Sequence, residues 1–324
     1  MSRPAHASAS NLEFSRRRFL ETSLAGVSAL ALPGFVQGED ADPYKGLKVG
    51  LQSYTLRNFS VADAIAHSQK LGIHYWESFT KHVPMTTVPG AVAAAKKQLS
   101  DGGITMLAYG VLPFDGNETK AREAFDFAKA MGLVSLSADP NPDNKTFDLL
   151  DKLVAEYDVA IAIHNHGPGH RYDKGSDVEK VVKDRHPKIG ACVDTGHYLR
   201  SDENPVEIIE RLGNRVFGVH LKDVRTIRDP KEQEKAAEGL PKGRVDQLKR
   251  EGKLFTVLGE GELDVKGCLK LLKDRKFAYC VAIEYEENAD NPIADVAACL
   301  KCVKDTLAGT VASRSSRSPN VIGD

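Results

Sequence analysis

A run of small and apolar residues, VAIAI (159–163), leads straight into His164, Asn165 and His166. Other apolar runs end in the same manner. One stops at Asp194 with His197 just past it, one at His220, Lys222 and Asp223, and one at Glu284 and Glu286, while an earlier run stops at Glu77. Imidazoles and carboxylates are ligands for divalent ions such as Mn²⁺, Co²⁺ or Zn²⁺, and the same groups transfer protons near neutral pH. Singly, each has a plainer reading: a His at a strand end faces a loop, and a Glu there caps the next helix. Jointly, four successive runs each deliver a candidate ligand, and a closed barrel would bring them to one rim. A divalent metal is therefore the expected cofactor.

A metal beside a carbonyl or hydroxyl oxygen stabilises an enediolate when a base removes the neighbouring proton. That chemistry serves isomerisation, epimerisation and β-elimination next to a carbonyl. Glu284 can act as the base even while it holds the metal. Glu77, His166 and His197 are candidates for the second proton transfer. Lys222 suits a developing oxyanion or a phosphate, against an ion pair near Asp223. Arg200 suits a polar substrate group, Glu260 lies in a glycine-flanked turn, and His82 follows its strand closely enough to line a pocket.

The elements that must position these groups alternate. Strand-like runs at 47–54, 73–79, 104–110, 133–139, 159–166, 189–197, 216–223 and 279–286 are each followed by a helix-like stretch. The helices are expected from Ser60 to Leu71, then near 88–100, 117–131, 144–157, 176–184, 205–213, 264–274 and 292–308. A long charged insertion follows the seventh strand. Eight strand–helix units over ~250 residues predict a (β/α)8 barrel, whose chemistry lies at the C-terminal ends of the strands. The first strand leads into Thr55-Leu56-Arg57-Asn58 without G-x-G-x-x-G, which counts against a dinucleotide-binding sheet.

DTGH (194–197), VHLKD (219–223), LGEGELD (258–264) and AIEYE (282–286) resemble the xylose isomerase-like barrel family, which includes sugar-phosphate isomerases and epimerases and DNA repair endonucleases. The resemblance covers about 47–308. It implies a metal held by His164, Asp194, His220 and Glu284. Position 164 departs from the pattern, because many epimerases carry Glu there, so that two metal-bound glutamates flank the sugar. HNHGPG (164–169) more closely resembles exported isomerase- or epimerase-like members. The expected function is a metal-dependent sugar isomerase or epimerase. The alternatives are a lyase or hydrolase acting on a keto-sugar such as a 3-keto-glycoside, and a non-catalytic periplasmic sugar-binding protein.

Formal net charge over 324 residues is −1, which offers no field for nucleic acid. The runs ending at Tyr109-Gly110 and Asp139-Pro140 lack the extra His ligands that the repair endonucleases would need. The expected partner is a small sugar or keto-sugar. Residues 1–38 read as a twin-arginine export signal, with Ser15-Arg16-Arg17-Arg18-Phe19-Leu20 before an uncharged run too short to span a membrane comfortably. Export to the periplasm follows, with no membrane span once the signal is cleaved. The barrel is placed at 39–311 and a Ser/Arg-rich tail at 312–324. Five cysteines argue against a complete disulfide framework. Cys299 and Cys302 form C-x-x-C within a helical pattern and lack the second pair a zinc knuckle needs.

Overall fold

A computed structural model of the chain describes residues 42–310. The expected signal at 1–38 and tail at 312–324 lie outside the described residues. Eight parallel strands close a barrel: β1 (Lys48–Gln52), β2 (Tyr75–Ser78), β3 (Thr105–Phe114), β4 (Ser135–Pro140), β5 (Ala160–His164), β6 (Ile189–Asp194), β7 (Val216–Leu221) and β10 (Cys280–Ile283). Between β7 and β10 the chain makes an excursion through a two-stranded antiparallel sheet, β8 (Asp223–Thr226) and β9 (Lys253–Thr256).

The helices are α1 (Val61–Leu71), α2 (Pro89–Asp101), α3 (Glu118–Met131), α4 (Asn144–Tyr157), α5 (Gly175–Val182), α6 (Thr195–Arg200), α7 (Pro205–Leu212), α8 (Pro230–Ala237), α9 (Lys242–Glu251), α10 (Val265–Asp274) and α11 (Ile293–Ala308). Side-chain caps start many of them: Ser60, Asn117, Asp143, Asn204 and Asp264 each accept a first-turn N–H, an interaction worth about 1 kcal/mol per cap.

Strand alternation separates two environments. On β5, Ile161 and Ile163 join the main apolar cluster with helix residues such as Phe147 and Leu150. Ala160 and Ala162 fall on the other face and form a small separate cluster with Cys192 and Phe217. His164 continues the Ala160–Ala162 face and pairs with Cys192 across β6. The strand is thus dry below, and its last residue carries an imidazole to the rim.

The excursion is tied at its root. Asp223 accepts N–H groups from Val224, Gly259, Gly261 and Leu263 at 2.8–3.0 Å. A methyl group on Gly261 would lie 2.3 Å from Asp223 Oδ1, so only glycine lets the turn close on the carboxylate.

Several expected boundaries are corrected: the seventh strand ends at Leu221 and the eighth at Ile283, which leaves Lys222, Glu284 and Glu286 just beyond them. The fifth strand ends at His164, leaving His166 in the following loop, and the sixth ends at Asp194, leaving His197 in α6. Asp194 caps α6 by accepting the His197 N–H, which ends the strand and starts the helix at one residue. Cys299 is buried in α11 and accepts the Leu258 N–H, a packing role for the C-x-x-C segment. Among the described residues no helix is long and apolar enough to cross a membrane.

Candidate metal centre

Neighbouring strands deliver the cluster in register. Asp194 pairs with His220 across β6 and β7, His220 pairs with Ala282 across β7 and β10, and Glu284 follows that strand. His164, Asp194, His220 and Glu284 are all buried, and one donor atom of each lies within 4.8 Å of the others. His220 Nδ1 is 3.0 Å from His164 Nε2 and 3.1 Å from Glu284 Oε2. Asp194 Oδ2 is buried without a well-formed hydrogen bond. Two imidazole nitrogens facing each other among buried carboxylates suit a divalent cation with mixed N/O preference. The donor set therefore fits the metal.

The electrostatics of the metal-free chain point the same way. Burial alone would raise Asp194 and Glu284, but Lys222 and nearby imidazoles outweigh it and hold both well below the usual carboxylate range. Burial would lower Lys222, but Asp194, Glu284 and Glu286 outweigh it and keep the ammonium charged. Its Nζ lies 3.0 Å from Asp194, 2.8 Å from Glu284 and 2.6 Å from Glu286. Lys222 thus pairs with two of the candidate ligands rather than with Asp223.

Several sequence elements resolve into positioning devices. The Asn165 amide donates to the Asp194 carbonyl at 3.0 Å, and its Oδ1 accepts the Asp194 N–H at 2.9 Å. Thr195 Oγ1 contacts the Lys222 carbonyl at 2.7 Å and accepts the Lys222 N–H at 2.9 Å. A methyl group on Gly196 would sit 2.6 Å from Lys222 Cγ, so this glycine makes room for the lysine.

His166 lies beside the cluster, its ring 4.5 Å from that of His164 and 4.6 Å from that of His170. Burial first, then His164 and His170, pushes it down to about 3, so it is neutral at physiological pH. His197 Nε2 is 4.0 Å from Asp194 Oδ2, and burial, the largest cause, pushes this imidazole down as well.

Four candidates sit away from the cluster's open side or among other partners. Glu77 is 1% exposed, with Oε1 accepting from Gln52 and Oε2 against His220 Nε2; it stands behind a candidate ligand. Arg200 is engaged in a two-point pair with Glu251. Glu260 lies exposed in the turn around Asp223. His82 is buried between Trp76 and Phe79 with Nε2 against the Phe59 carbonyl, inside packing rather than in a pocket wall.

Other residues adjoin the site, among them the strand-end acids Glu286 and Asp139. Glu286 joins Lys222 to Arg244 of α9, and Asp139 lies 3.5 Å from His170. Phe255 of β9 sits against His197, with Lys222 4.8 Å from its ring centre. Cys192 lies near His220 and Glu77, and burial pushes its thiol up.

Comparison with known proteins follows the same lines. The family model for the xylose isomerase-like TIM barrel matches residues 65–303. An inosose dehydratase from Clostridium botulinum is 28% identical over 272 residues, covering 82% of this chain and 84% of that protein. Among solved structures, the IOLI protein with a bound zinc atom superposes with a TM-score of 0.60 at 18% identity, covering 82% of this chain and all of the other. The probable 3-DHS dehydratase AsbF from Bacillus anthracis superposes with a TM-score of 0.59 at 14% identity, over 79% of this chain and 98% of that one. At these identities the two structures speak for the fold.

Proposed function

Because the chain belongs to the xylose isomerase-like TIM barrel family, we propose that it is a divalent-metal-dependent lyase that eliminates water or another β-substituent from a keto-sugar or keto-cyclitol. The observation that carries this reading is the ligand cluster with a single glutamate. His164 occupies the place where a two-sided epimerisation would want a second metal-bound Glu. Elimination needs no such mirror symmetry. The resemblance over four-fifths of the chain to an inosose dehydratase supports elimination over the isomerase or epimerase reading.

His164, Asp194, His220 and Glu284 would hold the cation, which when bound polarises the carbonyl oxygen. Glu77 orients His220 through Nε2. Glu284, held ionised, and His166, held neutral, are the acceptors placed to take the proton from the carbon next to the carbonyl. The C–H electron pair becomes the enolate double bond. As the carbonyl re-forms, the β-substituent leaves with its bonding pair and takes up a proton. The Lys222 ammonium supplies positive charge beside the oxygen that becomes negative. The Arg16-Arg17 pair supports export through the twin-arginine pathway, which would put this reaction in the periplasm or otherwise outside the cytoplasm; changing both to Lys should hold the precursor in the cytoplasm.

The test is incubation of the metal-loaded protein with a keto-inositol and with 3-keto-glycosides in D₂O. Elimination gives a conjugated carbonyl absorbing in the ultraviolet and release of the β-substituent. Recovery of an epimer or ketose with every oxygen retained would return the isomerase reading.

A further inference from the structure

Arg200 and Glu251 are 51 residues apart in sequence, yet they form a nearly buried two-point pair. Arg200 Nε donates to Glu251 Oε2 at 2.7 Å and Nη2 to Oε1 at 2.8 Å. The remaining arm, Nη1, reaches the His166 carbonyl at 3.3 Å and His197 Nδ1 at 2.9 Å. A guanidinium only donates hydrogen bonds and stays protonated. At 2.9 Å from it, His197 Nδ1 must offer a lone pair. The single ring proton then sits on Nε2, the nitrogen turned toward Asp194 and the candidate ligands.

We propose that Arg200 and Glu251 are positioning residues that lock His197 as the neutral tautomer with its proton on Nε2, so that His197 serves this site as a hydrogen-bond donor to a substrate oxygen and not as a base. The inference rests on the proposed lyase reading for the identity of that oxygen, but the tautomer itself does not depend on it.

Two independent features of the chain fit this lock. Gly167 has φ +86°, and a methyl group there would lie 3.0 Å from Arg200 Nη1 and 3.5 Å from His197 Nδ1. The glycine that follows His-Asn-His therefore leaves the space through which the guanidinium reaches the imidazole. Glu251 closes α9 in the excursion, and Phe255 of β9 packs its ring edge-on to His197 at 5.4 Å. The excursion thus fixes His197 from two sides, one polar and one apolar.

The test uses the full folded chain labelled with ¹⁵N-histidine, without substrate. Long-range ¹H–¹⁵N correlation identifies which ring nitrogen carries the proton, and His197→Gln assigns the signals. The expected pattern is a protonated Nε2 and a bare, hydrogen-bonded Nδ1. In Arg200→Met the Nδ1 resonance should move to that of a nitrogen without a donor, or acquire a proton. Glu251→Gln, which keeps shape and loosens the guanidinium, should shift it in the same direction by less; it carries the comparison if Arg200→Met does not fold. A protonated Nδ1 in the wild-type chain, or a Nδ1 resonance unmoved in the folded variants, overturns the proposal. Because no turnover is measured, a wrong substrate class leaves this result unaffected.

Discussion

Glu77 Oε2 lies 3.0 Å from His220 Nε2, while Glu284 Oε2 lies 3.1 Å from Nδ1 of the same ring. One imidazole therefore stands between two carboxylates, one behind it and one inside the candidate metal cluster. Carboxylates behind metal-bound imidazoles fix ring orientation and raise basicity, and their loss typically costs about 10–100-fold in metal affinity. Glu77→Gln should weaken Zn²⁺ or Mn²⁺ binding on that scale in a competition titration, with the fold retained. Unchanged affinity combined with lost turnover would instead return Glu77 to proton transfer.

Lys222 contacts Asp194 and Glu284, two of the candidate metal ligands. Removing one partner of a buried ion pair destabilises by roughly 3–5 kcal/mol. In Lys222→Met the metal-free chain should lose stability on that order, and added metal should recover more of it than in the wild type. Urea unfolding with chelator and with saturating metal checks both halves. Equal metal stabilisation of the two chains would contradict a shared set of carboxylates.

Asn165 holds the backbone of Asp194 by two buried hydrogen bonds. Asn165→Ala leaves a buried N–H and a buried carbonyl without partners, each worth about 1–3 kcal/mol. The variant should unfold at lower urea and bind metal less tightly, because Asp194 loses its fixed approach. A stability loss alone, with metal affinity intact, would confine Asn165 to the fold.

Burial pushes His82 below the ordinary histidine value of 6.5, so the folded chain keeps it neutral where the unfolded chain takes up a proton. Its contribution to stability is fully present above that value and is lost as pH falls from there toward the depressed folded value. His82→Gln should flatten part of the fall in urea midpoint between pH 7 and about 5. His166 and His197, also pushed down by burial, act in the same direction. An identical slope in variant and wild type would remove His82 from this account.

The barrel was legible because each of its units is local. In α4, an Asp cap, a regular apolar face and an αL terminus at Asp158 all lie within 143–158, and the expected span 144–157 is the observed one. The candidate ligands were legible because strand ends in a barrel share one rim. What escaped was depth and partnership. Glu77 and Glu284 both read as strand-end acids, yet cross-strand pairing puts Glu77 beside Gln52, behind His220. The pairing of Arg200 with Glu251 left no trace, because it depends on where a charged stretch without clear periodicity folds back. That stretch contains β8 and β9, four residues each, which pair only with one another.

The four backbone N–H groups gathered on Asp223 make the excursion a part with a fixed socket. Both ends of the detour are fastened at one carboxylate, close to where the chain leaves β7, and the short β8–β9 ribbon seals the seam. The entropy of closing a loop grows only slowly with its length, so the outermost stretch, 228–241, is the part whose length can change while His220, Glu284 and the Glu251–Arg200 pair stay in place. What lies beyond that stretch is bound to the site: Glu251, Phe255 and Arg244 bring the detour back onto Arg200, His197 and Glu286.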